Sequence, residues 1–156
     1  MDSSKKLSIE QTKQLSEPLP VWALKNHPTR KNMTVIHPMA VIDRLNEVFG
    51  VGAWRFSTYE LDCTKEVQKT RSGDRTVYMS SVHGTLSVPE YNIHIEQYGG
   101  STNDDKGDAL KGGATDALTK IASYLGIGAS IYKGMGNGSD AKDVPVPDLE
   151  EDNFGI

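Results

Sequence analysis

Lysine and arginine side chains give this sequence its clearest indication of functional chemistry, because they outnumber acidic side chains over a long region. Residues 25–75 hold nine Lys and Arg against six Asp and Glu, although the whole chain has a formal net charge of −4. Residues 139–156 contain six acids and one base. Net charge says little about partners when charges segregate in this way. The sequence predicts a mildly basic folded body, able to contact a polyanion, followed by an acidic tail.

A second set of cations lies in a predicted helix, residues 106–126, together with two adjacent glycines. Lys111 and Lys120 lie along KGDALKGGATDALTKIASYLG, with Gly112 and Gly113 in the middle. A glycine inside a helix costs on the order of 1 kcal/mol relative to alanine, so a pair indicates close approach to the backbone. The sheet, a neighbouring subunit and a phosphate chain are the candidate partners. The stripe predicted to face the core is Leu110, Ala114, Ala117, Leu118, Ile121 and Leu125.

Other chemistries find little support in the residue pattern. Asp104, Asp105 and Asp108 cluster where the helix should begin, a favourable position for negative charge, and we prefer that explanation to a Mg²⁺ site. The four histidines lack metal-ligand spacing, and there is no G-x-x-x-x-G-K-[ST] phosphate loop. Cys63 is the single cysteine. An internal disulfide is therefore excluded, and a reducing compartment is predicted.

The order of helices and strands predicts an α+β fold. We expect an antiparallel sheet in a β-β-β-α core with helices packed on one face. A helix begins at Pro38 and stops at Gly50, and a hairpin turn at residues 89–90 places Leu86 opposite Ile93. The other predicted elements are a weak helix at 5–16, strands at 34–37 and 54–62, a turn at 71–74 and a flexible glycine-rich run from residue 126.

Composition divides the chain into three parts. Residues 1–19 are predicted as an N-terminal arm or short helix, residues 20–135 as one folded domain, and residues 136–156 as a flexible acidic tail. No apolar run approaches the roughly 18 residues that a membrane span needs, and the N-terminus lacks the pattern of a secretory signal.

Three segments, in order and over most of the chain, resemble one known family. The helix reads DALKGGATDALTKIASYLGIG, residues 41–54 read VIDRLNEVFGVGAW, and residues 97–100 read QYGG. They are similar to the hallmark helix, the V-I-x-x-L/A-N-E-x-F-G-x-x-x-W pattern and the G-Y-G turn of the Rad52-type single-strand annealing proteins. This family includes a eukaryotic repair protein and phage recombinases. The segments HPTRKNM and YKGMGNG resemble the phage branch most.

The resemblance implies a curved β-β-β-α unit, assembly into rings, and a basic groove that holds single-stranded DNA by its backbone. Such proteins anneal complementary strands without ATP, and no cofactor is expected. Lys111 and Lys120 match basic family positions. Ala40 replaces a family arginine, and Arg44, one turn on, is the expected substitute. The predicted DNA-binding residues are Lys111, Lys120, Arg30, Lys31, Arg44, Arg55, Lys69, Arg71, Arg75 and Lys133, with Lys65 on the same hairpin and Tyr98, Tyr124 and Tyr132 as candidate stacking aromatics.

These implications predict single-stranded DNA binding and annealing in homologous recombination and double-strand break repair. The protein would be a phage or prophage recombinase rather than an enzyme, DNA-associated in the cytoplasm of a bacterial host. A protective single-strand or DNA-end binder without annealing activity is the alternative, and a metal-dependent nuclease using Asp104, Asp105 and Asp108 is a third. Expected partners are single-stranded DNA, further copies in a ring or helical homo-oligomer, and replication or single-strand-binding proteins at the acidic tail.

Overall fold

A three-stranded antiparallel sheet with a long helix on one face forms the centre of the molecule, which confirms the predicted α+β class. The computed structural model describes residues 3–28, 30 and 32–134. Its helices are α1 (Ile9–Ser16), α2 (Pro38–Phe49), α3 (Lys106–Tyr124) and α4 (Ala129–Tyr132), and its strands are β1 (Leu24–Asn26), β2 (Thr34–Ile36), β3 (Arg55–Thr70), β4 (Gly73–Val88) and β5 (Ile93–Asn103). The main sheet has the order β3-β4-β5, and β1 pairs with β2 in a separate two-stranded sheet.

Local sequence signals set the starts of α1 and α2. Ser8 caps α1 through a reciprocal capping box with Gln11. Helix α2 begins at Pro38, as predicted, and the preceding His37 accepts a hydrogen bond at Nδ1 from the Met39 N–H at 3.1 Å. Desolvation lowers the pKa of His37, which favours the neutral ring that this accepting nitrogen requires.

One hydrophobic core joins α1, α2, α3 and the sheet. Leu15 and Leu19 are buried in it beside residues of α2 and α3. The segment before residue 20, predicted as an arm or short helix, therefore packs against the rest of the molecule. The fully or nearly fully buried apolar residues of this core include Leu15, Leu19, Ala23, Val41, Leu45, Leu86, Ile121, Ala122 and Ile127.

Arg44 is buried and anchors α1 to α2. Its guanidinium donates from Nη1 to the carbonyl oxygens of Gln14 at 2.7 Å and Glu17 at 2.8 Å, and from Nη2 to that of Pro18 at 3.3 Å. These carbonyls lie at and just beyond the C-terminus of α1, where partial negative charge favours a cation. The side chain of Arg44 is 9 % exposed. The expectation that Arg44 contacts DNA is corrected, because its donors already serve the backbone.

Replacing Arg44 with methionine is expected to lower the free energy of unfolding by about 2–4 kcal/mol, because several carbonyls lose their donor and each unsatisfied buried acceptor costs about 1–3 kcal/mol. Urea unfolding measures the change. Glu47→Gln is the control, since Glu47 is 57 % exposed and its carboxylate lies 3.7 Å from Arg44 Nε. Glu47→Gln should lower the free energy of unfolding by less than about 0.5 kcal/mol. Equal losses in the two variants would contradict the anchoring role.

The β4–β5 hairpin has a different register from the predicted one. Leu86 lies opposite Ile95 rather than Ile93. The connection is a 3-10 turn at Pro89–Tyr91 followed by Asn92 in the left-handed conformation, with φ of 52°. This turn is two residues longer than the predicted one. A shift of two residues keeps every side chain on its predicted face but changes its cross-strand partner.

Strands β3 and β4 extend well beyond their predicted ends and form an arm. Their turn falls inside the predicted 71–74 segment, but β5 pairs with β4 only as far as Tyr78. Residues 66–77 therefore form a two-stranded ribbon that extends past the pairing with β5, here named the hairpin arm. It has five rows of paired residues and a length of about 17 Å at 3.4 Å per residue.

Two segments predicted as turn or flexible chain are regular or buried. Gly99 and Gly100 lie inside β5 rather than in a turn. After α3, Ile127 is fully buried and residues 129–132 form α4, which corrects the predicted flexibility there. The acidic tail, residues 136–156, lies outside the described residues. Within the described part of the chain, no helix combines the length and apolar character needed to cross a bilayer.

Candidate nucleic-acid interface

Helix α3 and the sheet meet backbone to backbone, and glycines on both sides allow this contact. A Cβ added at Gly99 of β5 would lie 2.1 Å from the Gly113 carbonyl oxygen and 2.4 Å from the Ala117 nitrogen. A Cβ added at Gly112 would lie 2.4 Å from Ser101 Oγ. Of the three partners considered for the helix glycines, the structure shows the sheet in contact with them.

The buried stripe of α3 is rotated relative to the predicted one. The prediction put Leu110 and Ala114 in the core, but both are only half-buried. The small residues of the helix face the sheet because they allow the closest approach of the two backbones. The residues of α3 that are buried are Ala109, Gly113, Ala117, Leu118, Thr119, Ile121 and Ala122.

The three aspartates at the start of α3 all have structural partners. Asp105 is the N-cap, and its carboxylate accepts a hydrogen bond from the Asp108 N–H at 3.0 Å. Asp104 pairs with Arg75 at 2.5 Å, and Asp108 pairs with Lys111 at 3.2 Å. Among the residues that the structure describes, no group of three or more His, Cys, Asp and Glu is placed to hold a metal ion. Asp105 and Asp108 thus occupy the start of the helix, where negative charge is favourable, and Asp104 is paired with Arg75.

Both lysines predicted to bind DNA from α3 form ion pairs within the helix. Lys111 is 41 % exposed and pairs with Asp108, while Lys120 is 42 % exposed and pairs with Asp116 at 2.8 Å. The same Asp116 oxygen accepts a hydrogen bond from the Gly100 N–H at 3.0 Å, on the edge of β5. Surface pairs of this kind contribute only about 0–1 kcal/mol, so a phosphate can compete with the carboxylate for either lysine.

Three cations of the β3–β4 hairpin are more exposed to solvent than the two lysines of α3. Lys65, Lys69 and Arg71 are exposed, and none of them forms an ion pair with another described residue. Strand register puts Lys65 and Lys69 on the sheet face that carries Ser80, whose Oγ donates to the Ala109 carbonyl of α3 at 2.5 Å. The hairpin and α3 therefore present lysines on the same side of the sheet.

The opposite side of the sheet, here named the open face, carries a row of three aromatic rings. Tyr59 of β3, His83 of β4 and Tyr98 of β5 share one register row. His83 stacks on Tyr59 with ring centroids 4.8 Å apart and meets Tyr98 edge-on at 5.3 Å. The two tyrosines are 59 % and 60 % exposed, whereas His83 is 9 % exposed. The next two rows of the open face contain Arg55, Ser87, His94, Ser57, Thr85 and Glu96.

The remaining predicted DNA-binding residues are scattered. Arg55 lies on the open face, and Arg75 forms an ion pair with Asp104. Arg30 is exposed in the connection between β1 and β2, and Lys133 is exposed just after α4. Lys31 lies outside the described residues. The structure thus puts α3, which carries Lys111 and Lys120, on the side of the sheet that Lys65 and Lys69 face, and Arg55 on the opposite side.

The three tyrosines predicted to stack bases have different surroundings. Tyr124 accepts a hydrogen bond from Gln97 Nε2 at 2.8 Å at the end of α3. Tyr132 donates to Thr119 Oγ1 at 3.1 Å, and burial raises the pKa of its hydroxyl. Tyr98 belongs to the aromatic row on the open face.

Sequence reasoning missed Tyr59 and His83 as neighbours of Tyr98. The predicted hairpin register put His83 opposite Glu96 rather than Tyr98. Tyr59 and Phe56 are three residues apart in β3, so the sequence alone puts them on opposite faces. The missing signal was the length of the turn at residues 89–92, which brings His83 opposite Tyr98.

A family model described as Rad52/22 family double-strand break repair protein matches residues 8–144. No curated protein matches the chain. The matched range spans every helix and strand described above and contains the three sequence segments that carry the resemblance. Its members are DNA-binding proteins of repair and recombination. This chain belongs to the Rad52/22 family of double-strand break repair proteins.

Proposed function

We propose that this protein binds single-stranded DNA and anneals complementary strands without ATP, in homologous recombination and double-strand break repair. The observation that carries the proposal is the family match over residues 8–144. The exposed cations on one side of the sheet support it, because single-stranded DNA is bound largely through its phosphates. A DNA backbone held in this way leaves the bases of the strand available for pairing.

The DNA backbone would follow the side of the sheet that carries α3. Along this path, Lys69 lies on the hairpin arm, and Lys65 lies where β3 joins the three-stranded part of the sheet. Lys111 and Lys120 continue the path along α3. Arg71, in the turn of the arm, would extend this path outward. The ion pairs of the two helix lysines hold both side chains near the helix surface, where a phosphate can replace the carboxylate.

Asp116→Asn tests whether Lys120 contacts DNA. The amide oxygen can still accept the hydrogen bond from the Gly100 N–H, but the negative charge beside Lys120 is removed. We expect a few-fold tighter binding of single-stranded DNA at low salt and a few-fold weaker binding in Lys120→Ala, measured by fluorescence anisotropy. Unchanged affinity in both variants would remove Lys120 from the binding path.

Assembly and cellular context are further parts of the proposal. Strands β3 and β5 are the two edges of the three-stranded sheet, and such edges accept strands from other chains. This geometry supports a ring or helical homo-oligomer. The similarity of the HPTRKNM and YKGMGNG segments to the phage branch supports a phage or prophage recombinase that acts in the bacterial cytoplasm. The acidic tail would dock replication or single-strand-binding proteins.

Separate measurements of binding and annealing, both without ATP, test the proposed function. The protein should bind a labelled single strand and also accelerate pairing of that strand with its complement. The alternative, a protective coat for single strands or DNA ends, predicts binding without acceleration. Loss of full-length DNA would instead indicate the nuclease, and Asp104→Asn, Asp105→Asn and Asp108→Asn would then abolish that loss.

A further inference from the structure

The open face of the sheet has a feature that phosphate binding does not explain. Tyr59 and Tyr98 leave well over half of their surface in solvent while flanking His83 in a single cross-strand row. Helix α3 lies on the other face, so this row is separate from the lysines of the proposed backbone path. We propose that the Tyr59–His83–Tyr98 row is a stacking platform for unpaired nucleobases. The proposal rests on the proposed function and adds a second DNA contact surface to it.

The exposed tyrosines have the chemistry that unpaired bases require. Every base has a flat π-face, so stacking on a tyrosine ring tolerates any sequence. Stacking uses the face of the base and leaves its Watson–Crick edge open. A base held in this way can still pair with an incoming strand, as annealing demands.

His83 provides an independent indication that the row receives a ligand. Its Nδ1 is buried and has no hydrogen-bond partner among the described residues. Its Nε2 lies 3.9 Å from the Glu96 carboxylate, and the rings of Tyr59 and Tyr98 lie against its imidazole. Unpartnered buried nitrogens are uncommon in folded proteins.

The surroundings of the row suit a nucleic-acid strand. Arg55 lies on the same face of β3 as Tyr59, four residues earlier, which is about 13 Å along a strand. It forms no ion pair with the other described residues and can neutralise a phosphate. Within the three rows from Arg55 to Tyr59, Glu96 is the single carboxylate on this face. Apart from Arg55 and Glu96, the positions of these rows carry hydroxyl groups or imidazole rings, and Asp62 lies opposite Ser81 in the row beyond Tyr59.

Abasic DNA separates base stacking from phosphate binding. We would measure the affinities of the full chain for oligothymidine and for an abasic oligonucleotide of equal length and phosphate count. The wild type should prefer the thymidine strand by about tenfold or more. In the double variant Tyr59→Thr/Tyr98→Thr this ratio should fall towards one, and in Tyr59→Phe/Tyr98→Phe it should persist. Threonine suits exposed strand positions, and thermal unfolding checks that the variants are folded.

Two controls fix the interpretation. Trp22→Leu removes an aromatic ring that is 49 % exposed but lies before β1, outside both proposed DNA surfaces, and should leave the ratio unchanged. Lys65→Ala/Lys69→Ala should weaken binding to both oligonucleotides equally.

A ratio near one in the wild type, or a ratio that the threonine variant does not lower, would overturn the platform while the proposed function stands. A changed oligomeric state in the threonine variant would overturn it in favour of a contact between copies. Failure of the wild type to bind either strand would overturn the proposed function itself.

Discussion

Gly99→Ala is expected to destabilise the protein by about 3 kcal/mol or more, with a fall in Tm of roughly 10 °C. The added methyl group would lie 2.1 Å from the Gly113 carbonyl oxygen and 2.4 Å from the Ala117 nitrogen. Both atoms belong to the backbone of α3, so no side chain can rotate away, and the helix must move off the sheet. Folded domains are stable by only about 5–15 kcal/mol, which makes such a displacement a large fraction of the total.

Gly100→Ala is the matched control for this prediction. It changes the neighbouring residue of the same strand, where the nearest atom to an added Cβ is the Ser80 carbonyl oxygen at 3.2 Å. A small adjustment accommodates the methyl group, so the expected change is within about 1 kcal/mol. Thermal and urea unfolding of the two variants give the comparison. Similar stabilities would show that α3 does not depend on the glycine contact.

Removing the open cations of the β3–β4 hairpin should have the largest effect on DNA binding. Lys65, Lys69 and Arg71 are exposed and form no ion pairs with the other described residues. If each contacts one phosphate, the triple alanine variant loses about two units of slope in the plot of log affinity against log salt, at roughly 0.7 per phosphate for single strands. Affinity at low salt should fall about tenfold or more.

Lys5→Ala/Lys6→Ala/Lys13→Ala is the control with the same change in net charge. These lysines are exposed near or on α1 and lie outside the proposed backbone path. The control variant should keep the wild-type salt slope. Equal losses of slope in the two variants would show that net charge, rather than the hairpin, determines affinity.

Much of the fold follows from signals within a few residues of one another. Pro38 after a capping residue starts α2, the apolar spacing of residues 106–126 predicts α3, and alternation along residues 83–96 assigns side chains to the correct faces. The family resemblance connects these pieces, because three separated segments agree with one known arrangement. Each of these inferences depends on chemistry that is local in sequence.

The errors have a common cause in contacts between distant segments. Arg44 looks like a surface cation on its helix, and only the position of α1, about thirty residues earlier, reveals the carbonyls that it serves. Which face of α3 is buried depends on its backbone contact with Gly99 of β5 as well as on the residues of the helix. The turn at residues 89–92 is longer than its proline signal indicates, so the pairing of His83 with Tyr98 was hidden.

The most direct test of the central claim is the rate at which two complementary oligonucleotides pair in the presence of the protein, without ATP and at low salt. Fluorescence energy transfer between labelled strands measures that rate. We predict clear acceleration by the wild type, much less by the Lys65/Lys69/Arg71 triple alanine variant, and wild-type acceleration by the N-terminal lysine control. A wild-type protein that binds the strands but leaves their pairing rate at the protein-free value would contradict the assignment as an annealing protein.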